Sequence, residues 1–206
     1  LRDGIKAEQS MSPSKSTRLA TALALFIAGG PVLAGLARAQ TDEAKAPKPP
    51  MVGGAPMFPY KNIVQNAVES KDHTTLVAAV KAAGLVETLQ GPGPFTVFAP
   101  TNEAFDKLPP GTVAGLLKPE NKATLVKVLT YHVVSGKLTE ARLRSAIKAG
   151  GGSATLTTVE GEPLTVSLYD DRITLTDAKG GTSTVTIGNV IQSNGLIDVV
   201  DGVLTP

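Results

Sequence analysis

The stretch FTVFAPTNEAFDKLP, Phe95–Pro109, decides how the rest of the chain is read. Phe95, Val97 and Ala99 alternate with Thr96 and Phe98, which predicts a buried strand. Pro100 has no N–H and should end its ladder. Thr101 is placed to accept the free N–H groups of a following helix, and Glu103 suits that helix's positive end. Ala104, Phe105 and Leu108 then point inward. Strand, tight turn and helix is also how many active sites are built. Here each residue has a folding task and none is left over as a nucleophile. The stretch is read as a folding device, with Thr101, Asn102 and Phe105 as its structural residues.

Upstream, KNIVQNAVES places Ile63, Val64, Ala67 and Val68 on one helical face. In DHTTLVAAVKAAGL, Asp72 stands where an N-cap would, Leu76, Val77 and Val80 form the stripe, and Gly84 ends the helix. Leu85–Gln90 allows one more turn before Gly91-Pro92-Gly93-Pro94 breaks the pattern. Residues 40–59 are rich in Pro, Ala, Gly and Lys and read as a disordered tether, so order is expected from Tyr60. Before that, Met11 is followed by Lys15, Arg18, the apolar run Leu19–Leu36 and Ala37-Arg38-Ala39. This is the pattern of a secretory signal peptide, Met11–Ala39, removed on export, with residues 1–10 given no structural role. Gly29-Gly30-Pro31 interrupts the run and argues against a spanning helix.

Without residues 1–39, the chain carries 15 basic and 16 acidic residues. Nothing in that balance asks for nucleic acid or an anionic membrane. There is no cysteine, so an exported domain must be held by its core alone. Residues 60–206 are long enough for one such domain.

Downstream, a short helix is expected around Val113–Leu117. Pro119 suits the first position of a longer one carrying Leu125, Val128, Leu129 and His132. A strand VVS follows, then a helix capped by Thr139 with Leu143 and Ile147 inward. From Ser153 the period changes to two: ATLTTV, PLTVSLY, RITLT and STVTIG alternate, with Glu160-Gly161, Asp170-Asp171 and Gly180-Gly181 as turns. Helices first and antiparallel strands later give an α+β domain.

Three segments resemble the fasciclin domain family. FTVFAPTNEAFDKLP looks like its first signature box, LTYHVVSGKLT carries its Tyr-His pair as Tyr131-His132, and NVIQSNGLIDVVDGVLTP looks like its closing box. Their order and separation over Asn62–Pro206 fit a single-domain bacterial secreted member. The resemblance implies two small packed β-sheets with helices gathered to one side. It also implies an adhesion or interaction module without enzymatic chemistry. Asn194, Gly195, Asp201 and Pro206 match the closing box, whereas Asp198 stands where the family usually carries His. A binding role credited to that His is therefore in doubt here.

A search for chemistry returns little. His73, beside Asp72, reads as a solvated cap residue, and His132 as a buried, hydrogen-bonded histidine favoured by a helix C-terminus. Two histidines and no cysteine fall short of a zinc site. Ser153 lacks the nucleophile-elbow context, and the glycine runs lack a phosphate-loop lysine. Glu160, Glu162, Asp170 and Asp171 lie at turns, with too few ligands for calcium. No catalytic residue, metal or cofactor is expected. The candidate binding residues are Tyr131, His132, Tyr169, Asn194 and Asp198, with Asp201 structural; Tyr169, at a hairpin turn, is the best exposed aromatic. The expected role is a monomeric periplasmic or secreted module that binds a cell-surface or envelope protein. The alternative is an envelope protein that takes a polysaccharide or small ligand in a pocket.

Overall fold

The computed structural model describes residues 48–206. The expected signal peptide, residues 1–10 and the first part of the expected tether lie outside them. Nine strands and seven α-helices are described: β1 Met51–Val52, β2 Ala55–Pro56, α1 Ile63–Ala67, α2 Thr74–Ala83, α3 Val86–Gln90, β3 Phe95–Pro100, α4 Asn102–Asp106, α5 Thr112–Leu116, α6 Lys122–Tyr131, β4 Val133–Ser135, α7 Glu140–Ala149, β5 Ser153–Thr157, β6 Pro163–Tyr169, β7 Arg172–Thr176, β8 Thr182–Gln192 and β9 Gly195–Val200.

The opening stretch folds as its residues dictate. Thr101 leaves the strand in an extended conformation and its side chain accepts the Ala104 N–H at 3.3 Å, opening α4. Ala104 and Phe105 are buried. Strand β3 lies between β4, antiparallel, and β9, parallel, with Phe95 opposite Gly195. It therefore divides two cores. Val97 and Ala99 join Ile63, Leu76, Val80 and Leu129 on the helical side. Phe98, fully buried, joins Tyr131, Leu143, Leu164 and Leu175 on the other. A fully buried side chain of that size contributes about 2–3 kcal/mol.

The seven strands β3–β9 pair in the order β4-β3-β9-β8-β7-β6-β5. The two expected sheets are present, joined through the long strand β8. This strand runs past the predicted STVTIG because its pairing with β9 continues to Gln192, through two register shifts, between Val185 and Ile187 and between Ile187 and Val190. Such irregularities bend a strand and let it serve two sheets. Asn189 takes a positive φ of 59° at the second shift, a conformation asparagine tolerates better than most residues. Gly195 is required where β9 meets β3, since a Cβ there would run into the Phe95 backbone.

Two expectations are corrected. Order does not wait for Tyr60: β1 and β2 form an antiparallel pair, and Val52, Ala55 and Met57 are buried in the helical-side core. The helix after Asp72 is also entered differently. Lys71–His73 is a 3-10 turn, His73 rather than Asp72 stands at the N-cap, and His73 is buried rather than solvated. Its Nδ1 lies 2.9 Å from the Ser70 hydroxyl, while Nε2 is buried without a hydrogen-bond partner among the described residues. Burial lowers its pKa and keeps the ring neutral.

Candidate functional site

The structure does not gather the five candidate binding residues into one site. Tyr131, at the end of α6, is fully buried. Its hydroxyl donates to the Pro163 carbonyl at 2.8 Å and accepts the Ala178 N–H at 3.1 Å, and burial raises its pKa. It ties α6 to β6 and to the turn after β7 and presents nothing to a partner. His132, at the C-cap, is equally enclosed. Its Nδ1 meets the Val128 carbonyl at 2.8 Å and its Nε2 meets the Leu204 N–H at 3.0 Å. A carbonyl only accepts and an amide N–H only donates, so Nδ1 carries the proton. Burial lowers the pKa to about 4, which outweighs the expected help from the helix end. The Tyr-His pair is thus a pair of internal staples.

Asn194 is a third staple. Its Oδ1 accepts the Ile63 N–H at 3.1 Å, and its Nδ2 donates to the Leu89 and Gly91 carbonyls at 2.8 and 3.1 Å. One carboxamide so joins the β8–β9 turn to the start of α1 and the end of α3. Asn194→Ala is expected to lower stability by about 2–3 kcal/mol, since three backbone groups lose their partner together; chemical unfolding measures it. Asp201 and Asn102 act alike. The Asp201 carboxylate accepts the Thr184 N–H at 2.7 Å. The Asn102 carboxamide accepts the Thr75 N–H at 3.0 Å and donates to the Lys71 carbonyl at 2.9 Å.

Asp198 sits at the middle of β9, 2% exposed. Its Oδ1 accepts the Asn189 N–H at 2.8 Å. The Asn189 carboxamide in turn accepts the Glu140 N–H at 2.8 Å and donates to the Glu140 carboxylate at 3.3 Å. Glu140 pairs with Arg144, whose Nη1 reaches Asp171 at 2.6 Å. Burial raises the Asp198 pKa to about 7; the Asn189 N–H opposes the shift and the nearby Glu140 charge adds to it. The side chain that replaces the usual His is therefore half-protonated near neutrality, locked behind the β8 irregularity rather than offered to solvent.

Of the five, Tyr169 alone is strongly exposed, at 71%, beside exposed Leu168 at the end of β6. Sequence reasoning passed over two groups. Asp177 accepts the Lys179 and Gly181 N–H groups and, through Oδ2, the Thr205 N–H at 2.9 Å. The signal was present in Asp177-Ala-Lys-Gly180, a side-chain turn motif. Tyr60, read from the sequence only as the start of order, is 71% exposed and stacks on Phe58, with ring centroids 5.1 Å apart. It borders a shallow surface cleft with Gln65, Glu69 and Gln90. Among the described residues, no three His, Asp or Glu side chains are grouped to hold a metal ion. Glu160 and Glu162 instead share Lys127.

The same arrangement of strands and helices occurs in the FAS1 domain pair of the insect cell adhesion molecule Fasciclin I, with a TM-score of 0.65 at 18% identity over 72% of this chain and 52% of that one. Protein sll1483 of Synechocystis sp. is 45% identical over 186 residues, covering 90% of this chain and 93% of its own. Immunogenic protein MPB70 of Mycobacterium bovis is 34% identical over 68% of this chain and 66% of its own. Human periostin is 31% identical over 69% of this chain, which spans only 16% of periostin. The sequence model of the fasciclin domain matches residues 71–206, from the turn before α2 through β9 and the Thr205 contact to Asp177. With the sequence model matched across about two thirds of the chain and the fold in agreement, the chain belongs to the fasciclin domain family.

Proposed function

We propose that the chain is a non-enzymatic interaction module, exported to the periplasm or beyond, that binds a protein at the cell surface or in the envelope. One observation carries the reading: Tyr131, His132, Asn194, Asp177 and Asp201 spend their polar atoms on backbone groups of the fold itself. Surface complementarity is what remains for function. The insect relative's description as a cell adhesion molecule is consistent with that. Among the described residues, no helix is long and apolar enough to cross a membrane, and the leader pattern at Met11–Ala39 supports export.

Tyr169 is the proposed contact, an exposed aromatic at the end of β6. Labelled protein is to be incubated with intact cells of the source bacterium, before and after protease treatment. Binding lost after protease, and weakened about tenfold by Tyr169→Ala, is the expected result. Protease-resistant binding that Tyr60→Ala abolishes would replace it with a polysaccharide ligand. That second reading is favoured by the Tyr60 ring with the carboxamides of Gln65 and Gln90 beside it.

A further inference from the structure

Asp198 is the one titratable side chain on three neighbouring strands. β3, β8 and the remainder of β9 carry none, and Phe98 lies opposite Asp198 in register. Asp198 takes part in no ion pair among the described residues. The charge it faces comes from α7, where Glu140 stands. Of the cations on that helix, Arg144 is spent on Glu140 and Asp171, Arg142 reaches the Lys137 carbonyl, and Lys148 lies in the last turn.

From this buried carboxyl a continuous series of hydrogen bonds runs to the surface. Asp198 Oδ1 accepts the Asn189 N–H at 2.8 Å, and Asn189 Nδ2 donates to Glu140 Oε2 at 3.3 Å. Glu140 Oε1 accepts from Arg144 Nε at 2.9 Å, and Arg144 donates to the Asp171 carboxylate and carbonyl, each at 2.6 Å. Asp171 lies in the β6–β7 turn that follows Tyr169. The longest link, between Asn189 and Glu140, is also where a new charge acts. Gly188 has no side chain to part the two carboxyl groups: a Cβ there would stand 3.5 Å from Asp198 Oδ1 and 3.5 Å from Glu140 Oε2. Like charges so near, one of them buried, repel with little screening. Asp198 is enclosed in the sheet, whereas Glu140 is half-buried and free to turn toward water with Arg144. Glu140 is therefore the group that yields.

We infer that Asp198 is a proton-operated latch on the β6–β7 hairpin: with its proton bound, Asn189, Glu140 and Arg144 hold Asp171 in place, and with the proton gone Glu140 leaves Asn189 and Arg144 lets Asp171 go. The carboxyl keeps its proton up to about pH 7, so the latch is closed below neutrality and open above it. That this hairpin carries the partner contact rests on the reading of Tyr169 above; the latch does not.

The test follows the full chain by NMR between about pH 5.5 and 8.5, with no partner present, so it succeeds or fails apart from any binding. The Asp198 carboxyl carbon, the Arg144 Nε–H and the Asp171 and Arg172 amide signals are expected to titrate together with a midpoint of about 7. Asp198→Asn keeps an acceptor for the Asn189 N–H and should abolish the titration of the Arg144, Asp171 and Arg172 signals. Glu140→Gln keeps an acceptor for Arg144 without the charge; it should move the Asp198 midpoint to lower pH and leave the hairpin signals still. An Asp198 carboxyl that titrates without the hairpin, or that does not titrate in this range, would overturn the latch. Hairpin signals that still follow Asp198 in Glu140→Gln would overturn the route through Glu140.

Discussion

Replacing Asp198 by Asn is expected to expose a stability that climbs as pH rises from about 4 to about 6.5, a slope that the unaltered chain largely hides. Two buried groups oppose one another across this window. Asp198 holds its proton in the folded state up to about pH 7, whereas the unfolded carboxyl releases it near 3.8. Its contribution is present in full below the lower value and is lost as pH rises through the upper one, about 4 kcal/mol in all. His132 does the reverse. The unfolded imidazole takes a proton below 6.5, and the folded one refuses it until about 4. Stability on its account is lost as pH falls through that range, by about 3 kcal/mol. His73, also lowered by burial, adds to the histidine side.

The two large terms nearly cancel between pH 4 and 6.5, and each single replacement removes one of them. Asp198→Asn keeps an acceptor for the Asn189 N–H, so the bulge survives while the carboxyl's titration disappears. The substituted chain should exceed the parent at pH 8 by about 4 kcal/mol. His132→Gln should show the opposite profile, falling from pH 4 to 7. Urea unfolding at half-unit pH steps reads both slopes. If Asp198→Asn leaves both the pH profile and the stability at pH 8 as they are in the parent, Asp198 titrates as an ordinary carboxyl.

Met57→Ala is expected to lower stability by about 3 kcal/mol, and a chain that starts at Tyr60 to lose at least as much. Met57 is 2% exposed and Val52 3%, both packed in the helical-side core. The β1–β2 pair also meets the 3-10 turn that follows α1: the Lys71 N–H donates to the Gly53 carbonyl at 3.2 Å, and a Cβ on Gly53 would strike Ser70. Its removal opens the environment of His73, whose small apolar cavity is walled by Val52 and Met57. Thermal melting of the two forms checks this. Equal melting temperatures for the shortened and the longer chain would restore the reading of residues 48–59 as a tether without structural weight.

What the sequence made legible was what residues decide with near neighbours. The Thr101 and Thr139 caps, the left-handed Gly84 at the end of α2 and the hairpin turns at Asp170-Asp171 and Gly180-Gly181 all appear where local chemistry puts them. The failures have a common cause in partners distant along the chain. His73 looked exposed because its own segment is polar, yet residues 52–57 cover it. Met51–Met57 looked too rich in Pro and Gly to fold, but its few apolar side chains have a prepared surface to enter. His132 is the buried, hydrogen-bonded histidine its segment suggested, whereas Tyr131 and Asn194, offered as candidate binding residues, turn their polar atoms inward. A polar side chain that binds a partner and one that ties backbone groups together are the same residue types, and the difference is visible only once Leu204, Ala178 and Leu89 are beside them.

The placement of β9 governs how the domain must assemble. This strand occupies the interior of the sheet, with β3 on one side and β8 on the other, and its parallel register sets Phe95–Pro100 against Gly195–Val200. Neither core can close until residues near 200 have left the ribosome, because Val200 and Leu204 fill one and Ile197 and Val199 the other. Contacts so distant along the chain slow folding and leave apolar strands uncovered while they wait. A nascent chain of this kind cannot complete either core until its synthesis is nearly finished.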